Sequence, residues 1–472
     1  MSVTDLRTQE SESHVSTTKL IFIAAAFVLS LLSFVTQTVF TSQAYQLGFQ
    51  EPVILLWVTH GSWWLLWPLQ VLVVALGRTF SKWRAQRSPV KLTRRASTIN
   101  TELQYQRLNP NFVDEEDTTS VPIQHVNLHT YFKKAIVKQF HNVYHTAILI
   151  YETNVNGEKS TDNLAGLIAR NPKISDSSSI SHCISTFLHT DAIKYIIHKA
   201  IYITVVLTVA GSTWYGAMAL TFASDVTAIY NCSAFTAYAF AIPMLNETFS
   251  WLKVTSVITA IFGVFLVAYS GTDEASSDDY PYRFWGNLII LVGAVLYGYY
   301  ECLYKRYTCI PAHLSKIITP RRQLTFANFV MGWFGLFTSI ILLVGIVFCE
   351  ITKLHQFNVW DYGSKTKHIW MYISGSIVSN LTFSASFLCL MALTNPVISS
   401  VSSLLTIFLI GIVEWVLFGN TLGFQQLVGD AFIVAGFLML TFASWKEISE
   451  GKEDKDDIDA VSTYSFAIST EG

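Results

Sequence analysis

Charge is scarce in this 472-residue chain: Asp, Glu, Lys and Arg together make up 14% of it, against 51% apolar residues. With a mean hydropathy of +0.39 it is too apolar for an ordinary water-soluble domain, so lipid must be its solvent. Paired cysteines are lacking as well. Cys183, Cys232, Cys302, Cys309, Cys349 and Cys389 stand singly in or beside apolar runs, which excludes a disulfide framework or a cysteine metal cluster and leaves small packing residues. No His-Glu-x-x-His, Gly-x-Gly-Asp or His-x-x-x-x-Asp pattern occurs, so a membrane enzyme has no residue to start from, and neither catalytic residue, metal nor cofactor is expected. A filter-like carbonyl loop of the channel type is absent too. The first apolar run follows a polar tail of nearly twenty residues and is itself long enough to span, which reads as a retained helix and not as a cleaved leader.

What the chain has instead is long greasy stretches. A hydrocarbon core of about 30 Å needs roughly twenty apolar residues per helix, because backbone amides cannot be left unpaired in lipid. Segments 20–41, 53–76, 200–222, 226–245 and 252–270 meet that requirement in the first half, and 284–304, 326–348, 369–393, 396–418 and 427–445 in the second. The expected fold is an all-α membrane protein with ten transmembrane helices. Aromatic residues, 14% of the chain, gather at many of the ends, where amphipathic rings favour the headgroup level.

Loop charge sets the orientation. Arg78, Lys82, Arg84, Arg87, Lys91, Arg94 and Arg95 follow the second span with no acid among them, which places that loop, and therefore the amino terminus, in the cytoplasm. Counting onward, Lys305, Arg306, Lys316, Arg321 and Arg322 fall on the same side, and the acidic Asp273, Glu274, Asp278 and Asp279 opposite. The organisation expected is a cytoplasmic tail 1–19, spans over 20–76, a cytoplasmic basic insert 77–199, spans over 200–270 and 284–445, and an acidic cytoplasmic tail 446–472.

Within the insert, Leu128, Phe132, Ile136, Phe140, Val143 and Ala147 recur at three- and four-residue steps, with Lys133, Lys134, Lys138, His141 and His145 on other faces. Such a helix either lies on the anionic leaflet or packs against protein. Ser97, after Arg94-Arg95-Ala96, has the surroundings of a phosphosite, where phosphate would cut the positive charge facing the lipid.

The two halves resemble each other. Asp225-Val226-Thr227 heads the fourth span as Asn395-Pro396-Val397 heads the ninth; Ile201-Tyr202-Ile203-Thr204 matches Met371-Tyr372-Ile373-Ser374; and Ile261-Phe262-Gly263-Val264 parallels Val434-Ala435-Gly436-Phe437. Five spans per half is an odd number, so the second half enters from the opposite face, giving two inverted-topology five-helix repeats around a midplane site.

Trp214-Tyr215-Gly216-Ala217-Met218-Ala219-Leu220, then Asp225 to Phe235, Glu247, Gly263-Val264-Phe265-Leu266-Val267 and Gly293 to Lys305 resemble the drug/metabolite transporter superfamily. The likeness is greatest to the orphan F branch of solute carrier family 35 and its fungal vacuolar-membrane relatives. It implies a ten-helix carrier, both termini cytoplasmic, with a cavity lined mainly by spans one, three, four, six, eight and nine, in an endomembrane such as the vacuole or the Golgi and ER. The Gly-Ala-Leu-Asn-Lys motif of fungal nucleotide-sugar exchangers is absent; Ser399-Ser400-Val401-Ser402-Ser403 stands in the ninth span instead.

Polar groups inside spans are functional candidates because hydrocarbon penalises them. Gln37, Trp214, Tyr230, Asn231, Tyr297, Tyr300, Asn380 and Ser402 are the residues expected to line a substrate cavity, although each could instead tie helices together. Glu301 with Lys305 one turn later, and Glu414, are candidates for a gate or ion coupling. Asp430 is expected to reach the interface, Glu247 to hold a turn with Lys253, and His60 to be hydrogen-bonded within the bundle. The net charge of −2 says little about partners; a small-molecule solute and membrane lipids are expected, nucleic acid is not, and a homodimer is left open. Transport of a small polar metabolite by alternating access is the function these features favour. A membrane scaffold or receptor acting through the insert is the alternative.

Overall fold

The computed structural model describes residues 3–87, 127–157, 178–245, 249–269, 280–311, 320–393 and 423–450, with a few single positions between them. Among these the chain is helical, with no strand. The helices are α1 (Val3–Gln46), α2 (Pro52–Gly61), α3 (Leu66–Arg87), α4 (Leu128–Asn154), α5 (Ile180–His189), α6 (Asp191–Met218), α7 (Ala223–Asn231) and α8 (Ser233–Leu245). There follow α9 (Trp251–Tyr269), α10 (Arg283–Tyr307), α11 (Pro320–Thr352), α12 (Thr366–Leu393) and α13 (Phe424–Glu450).

Six stretches among the described residues are both long and apolar enough to cross a membrane: Ala24–Gln46, Pro52–Arg84, Asp191–Met218, Asp225–Leu245, Arg283–Tyr307 and Arg322–Thr352. Shorter apolar stretches run through α9 and α13, over Trp251–Gly263 and Phe424–Leu440. The expected ninth span lies outside the described residues. Bulky apolar side chains point outward along these helices, among them Leu32, Val73, Val292 and Val344, each more than half exposed. A belt of that kind is stable only against lipid, and the protein is an integral membrane protein.

Two spans are interrupted. The second bends through a 3₁₀ turn, Ser62–Leu65, between α2 and α3; the fourth breaks at Cys232 between α7 and α8, where the Cys232 amide donates to the carbonyl of Ile229. Tightened turns inside a span leave carbonyl groups off the regular ladder and commonly mark hinges or sites.

Helices pack in antiparallel pairs. Along α1 and α12, Phe34 meets Phe383 at a ring separation of 5.0 Å and Thr41 shares a 2.9 Å hydrogen bond with Ser376. Along α6 and α10, the Tyr202 and Tyr299 hydroxyls lie 3.0 Å apart, and Gly293 accommodates Thr213. The second span faces α11, where Trp57 Nε1 donates to Ser339 Oγ at 3.1 Å. The tightest crossing joins α9 to α13. A Cβ on Gly263 would stand 2.6 Å from the carbonyl oxygen of Gly429 and 2.7 Å from the amide of Ile433; one on Gly436 would stand 2.6 Å from the carbonyl oxygen of Ser256. Lipid offers no hydrophobic drive between helices, so backbone approach of this kind supplies the cohesion.

The stripe on α4 faces protein, which decides between the two readings that the sequence left open. Val143 and Ala147 are fully buried, and Phe140 sits edge-on to Trp67 and Phe187, at 5.0 and 5.4 Å. Leu128, Phe132 and Ile136, nearer its start, are only half-buried. Ser97 lies outside the described residues. Asn127 caps α4 by accepting from the amide of His129, and Ser179 caps α5 through His182. His145, on the buried side of α4, is pushed down to about 3 by burial, then by the neighbouring His141 and Arg322.

Three outcomes follow. Gly263→Val or Gly436→Val should cost about 1–3 kcal/mol or more by forcing α9 and α13 apart, read as a lower melting temperature in detergent. Gly345→Ala, whose Cβ would enter open space, should be neutral or slightly stabilising. His145 is neutral in the fold but takes a proton near pH 6.5 when unfolded. The stability it contributes is therefore complete above about pH 6.5 and lost as pH falls toward about 3. Acidification from pH 7 to 5 should lower the melting temperature of the parent protein more than that of His145→Gln.

Candidate functional site

A chain of buried hydrogen bonds connects the first three apolar spans. Tyr215, on α6 and fully buried, shares a 2.7 Å hydrogen bond with Thr59 Oγ1 of α2, and its hydroxyl accepts from Gln37 Nε2 of α1 at 3.3 Å. Thr59 Oγ1 is also 3.3 Å from His60 Nδ1, and His60 packs its ring on Trp63 at 4.1 Å and edge-on to Tyr215 at 5.6 Å. Trp63, in the 3₁₀ turn, donates to Asn380 Oδ1 of α12 at 2.5 Å. The Tyr45 hydroxyl closes the outer side by donating to the carbonyl of Tyr215 at 3.0 Å. Four helices are thus tied by side chains that would each be costly to leave unpaired in hydrocarbon. Gln37 Oε1 is buried with no partner among the described residues.

Tyr215 also lies within electrostatic reach of Tyr230, and that contact joins the chain to a second group. The Tyr230 ring of α7 packs on Tyr297 of α10 at 4.9 Å, Tyr297 on Tyr300 at 5.2 Å, and Tyr300 on Tyr304 at 6.4 Å. Steps of three and four residues align these phenols along one side of α10, with Phe334 of α11 against them. Glu301 interacts electrostatically with Tyr230, Tyr297 and Tyr300, and Lys305 with Glu301. Both interruptions of helical structure abut this region: His60 and Trp63 at the 3₁₀ turn, Tyr230 and Asn231 at the break before Cys232.

Most of the residues expected to line a cavity are therefore brought together. Gln37, Tyr230, Tyr297 and Tyr300 converge, and Trp214 lies beside them with its ring edge-on to Tyr215 at 4.7 Å. Asn231 is buried beside Tyr230, and Asn380 is reached through Trp63. Ser402, Glu414 and Glu247 lie outside the described residues. Lys253, expected to pair with Glu247, places its ammonium over the Tyr238 ring at 5.0 Å. Tyr215 and Thr59 escaped sequence reasoning. Tyr215 stood inside the transporter-like stretch next to Trp214, and its burial on the same face as Gln37 was the signal that only packing could supply.

A third cluster was also missed. Asp225 opens α7 and is fully buried; Arg283, opening α10, grips it with two hydrogen bonds, Nε to Oδ2 at 2.7 Å and Nη2 to Oδ1 at 3.1 Å. Thr221 Oγ1 and Asn287 Nδ2 add hydrogen bonds to Asp225 Oδ2 at 3.2 and 3.3 Å, and the guanidinium lies 5.1 Å from the Phe222 ring centroid. Bidentate pairing with full hydrogen-bond support is the condition under which a buried ion pair holds together. Asp430, expected at the interface, is instead 5% exposed and acts electrostatically on Asp225. The correction has a simple cause: α13 approaches α9 so closely at Gly429 that the next residue is enclosed.

No family model matches the chain. A stretch of 223 residues, 46% of the chain, is 24% identical to an uncharacterized transporter of Schizosaccharomyces pombe, and the match spans 60% of that relative's length. A solved crystal structure whose description states no activity aligns with 67% of this chain and 92% of its own, at 14% identity and a TM-score of 0.34.

Tyr215→Phe keeps the ring and removes the hydroxyl that joins Thr59 to Gln37. It should cost about 1–3 kcal/mol, because Gln37 is left with an unpaired buried amide, measurable as a lower melting temperature. A Gln37→Leu background should absorb most of that loss in a double-mutant cycle.

Proposed function

We propose that the protein is a secondary transporter that carries a small polar metabolite across a membrane by alternating access. In this reading it has the ten-span drug/metabolite transporter fold, with the long insert and both termini cytoplasmic. The observation that carries the proposal is the buried centre itself. Aromatic rings and neutral hydrogen-bonding groups from α1, α2, α6, α7 and α10 meet between two charged ends, Glu301 with Lys305 at one and Asp225 with Arg283 at the other. A solute site needs polar groups that hold orientation inside an apolar wall, and gates need contacts that break without unfolding the helices. Interrupted spans beside the site supply hinges.

The inverted repeat is supported by packing. Gly436, Gly429 and Ile433 lie 173 positions after Gly263, Ser256 and Ala260, and each glycine meets the other helix at the corresponding pair of residues. The same exchange of halves carries the α6 and α10 pair onto α12 and α1. A two-fold related assembly offers two gates of similar construction around one site, which is the mechanical requirement of alternating access. The transporter named among its relatives supports the same class. In the mechanism that follows, the solute displaces Gln37 and Tyr230 from their resting contacts, stacks on Tyr297 and Tyr300, and biases which charged end is closed.

Purified full-length protein in liposomes, offered labelled nucleotide sugars, sugar phosphates, amino acids and amines with and without a pH gradient, should take up at least one solute saturably. Tyr230→Ala and Glu301→Gln should each reduce that uptake tenfold or more. If no solute moves under any gradient, a scaffold role for the insert becomes the better account.

A further inference from the structure

The carboxylate of Glu51 is placed to cap its own helix and is engaged elsewhere. Glu51 directly precedes α2, yet its side chain makes no capping hydrogen bond there. It reaches instead across 304 and 307 positions to the connection between α11 and α12: Oε2 lies 3.0 Å from His355 Nε2, and Oε1 accepts from the amide of Asn358 at 3.0 Å. The residue is only 6% exposed, although it stands in a turn at the end of the bundle. A carboxylate enclosed to this degree holds its partners firmly, because separation without a substitute leaves a charge unpaired. A substitute is at hand in the amides that open α2, where the helix dipole also favours an anion.

Residues 354–362 form a strap over the same end. The amide of Phe357 donates to Glu350 of α11 at 2.8 Å, the Tyr362 hydroxyl to the carbonyl of Asn358 at 2.5 Å, and Trp370 Nε1 of α12 to the carbonyl of Val359 at 3.0 Å. Phe357, Val359 and Tyr362 pack on the core around Ala44 and Phe49, both fully buried, with the Tyr362 ring 5.7 Å from that of Phe49. Phe49 leads inward to the Tyr45 ring at 6.5 Å, and Tyr45 to the Tyr215 carbonyl through its hydroxyl. On the outside, Leu354 and Trp360 are more than two-thirds exposed. Left-handed backbone stands at both ends of the strap, at Lys353 with φ +53° and Gly363 with φ +57°. A lysine is disfavoured in that region, and conformations of this kind collect at switch segments.

We propose that residues 354–362 are a lid over the Tyr215 centre and that Glu51 is its latch. In the closed form Glu51 holds His355 and Asn358, and Tyr362 against Phe49 seals the approach to Tyr45. In the open form the carboxylate turns back to the amides of α2, the strap swings about Lys353 and Gly363, and water reaches Ala44 and Tyr45. That the lid admits a solute rests on the transport reading; the latch does not.

The test uses the full chain in detergent with no solute. Ala44→Cys places a thiol beneath the strap, and its modification by a charged maleimide, located by mass spectrometry, reports the access of water. Modification should be slow in Ala44→Cys alone, about threefold faster when His355→Ala is added and about tenfold faster with Glu51→Ala, which loses both bonds. Amide exchange over residues 354–362 should rise in the same order. His355→Ala removes a side chain that is half exposed, so it reads the latch even where Glu51→Ala does not fold. Unchanged thiol reactivity together with faster strap exchange would overturn the proposal, since the strap would then be an edge that covers nothing. A parallel rise at Cys183, fully buried in a separate apolar cluster, would overturn it as well by showing that the whole fold had loosened. Because no solute enters either measurement, a failed uptake panel leaves this result standing, and unchanged reactivity leaves the carrier reading standing.

Discussion

Hydrocarbon gives a hydroxyl, an amide or a carboxylate nothing to bond to; Ser33 and Thr38 turn back to carbonyls of their own helix, whereas amides, phenols and carboxylates must be answered from a neighbouring one. Helix rotation and register in this bundle depend on that demand. Tyr215 needs Thr59 and Gln37, Trp63 needs Asn380, and Asp225 needs Arg283; satisfying all of them together fixes how α1, α2, α6, α7, α10 and α12 face one another. Close glycine crossings then set the distance of α9 from α13.

The same demand explains why the polar side chains gather where they do. In the proposed carrier, a polar centre that is satisfied by hydrogen bonds between spans exchanges those partners for a solute, whereas an apolar interface has nothing to exchange. Helix interruptions at Ser62–Leu65 and at Cys232 put adjustable backbone next to that centre. Ionic contacts lie toward the ends, where the cost of separating charges is lower. Rigid aromatic stacking along Tyr297, Tyr300 and Tyr304 joins the centre to one of these ends.

Parts of the site are readable along a single helix. Tyr297, Tyr300 and Glu301 with Lys305 recur at helical steps, so their common side follows from spacing alone. The burial of Val143 and Ala147 on α4 was visible as a stripe, but a stripe does not say whether lipid or protein covers it; contact with Trp67, Phe187 and α11 does. Asp225 and Arg283 each stand at the start of a span, where solvation is the ordinary explanation of a charge. Their partnership across 58 positions gave no signal in the sequence.

By itself, the sequence determined the solvent of this protein, its helical class and the position of most spans, because hydropathy is a sum over neighbouring residues and every residue of a span lies in one window. Loop charge and repeated segments, read the same way, produced an expected topology. Only the tertiary structure decided which polar groups meet. Gln37 finds Tyr215 across 178 positions and Trp63 finds Asn380 across 317, and such pairings depend on how distant helices rotate and slide against one another. It also decided that Asp430 is enclosed, since that follows from two glycine-lined helices approaching to backbone contact, a relation that no local pattern encodes.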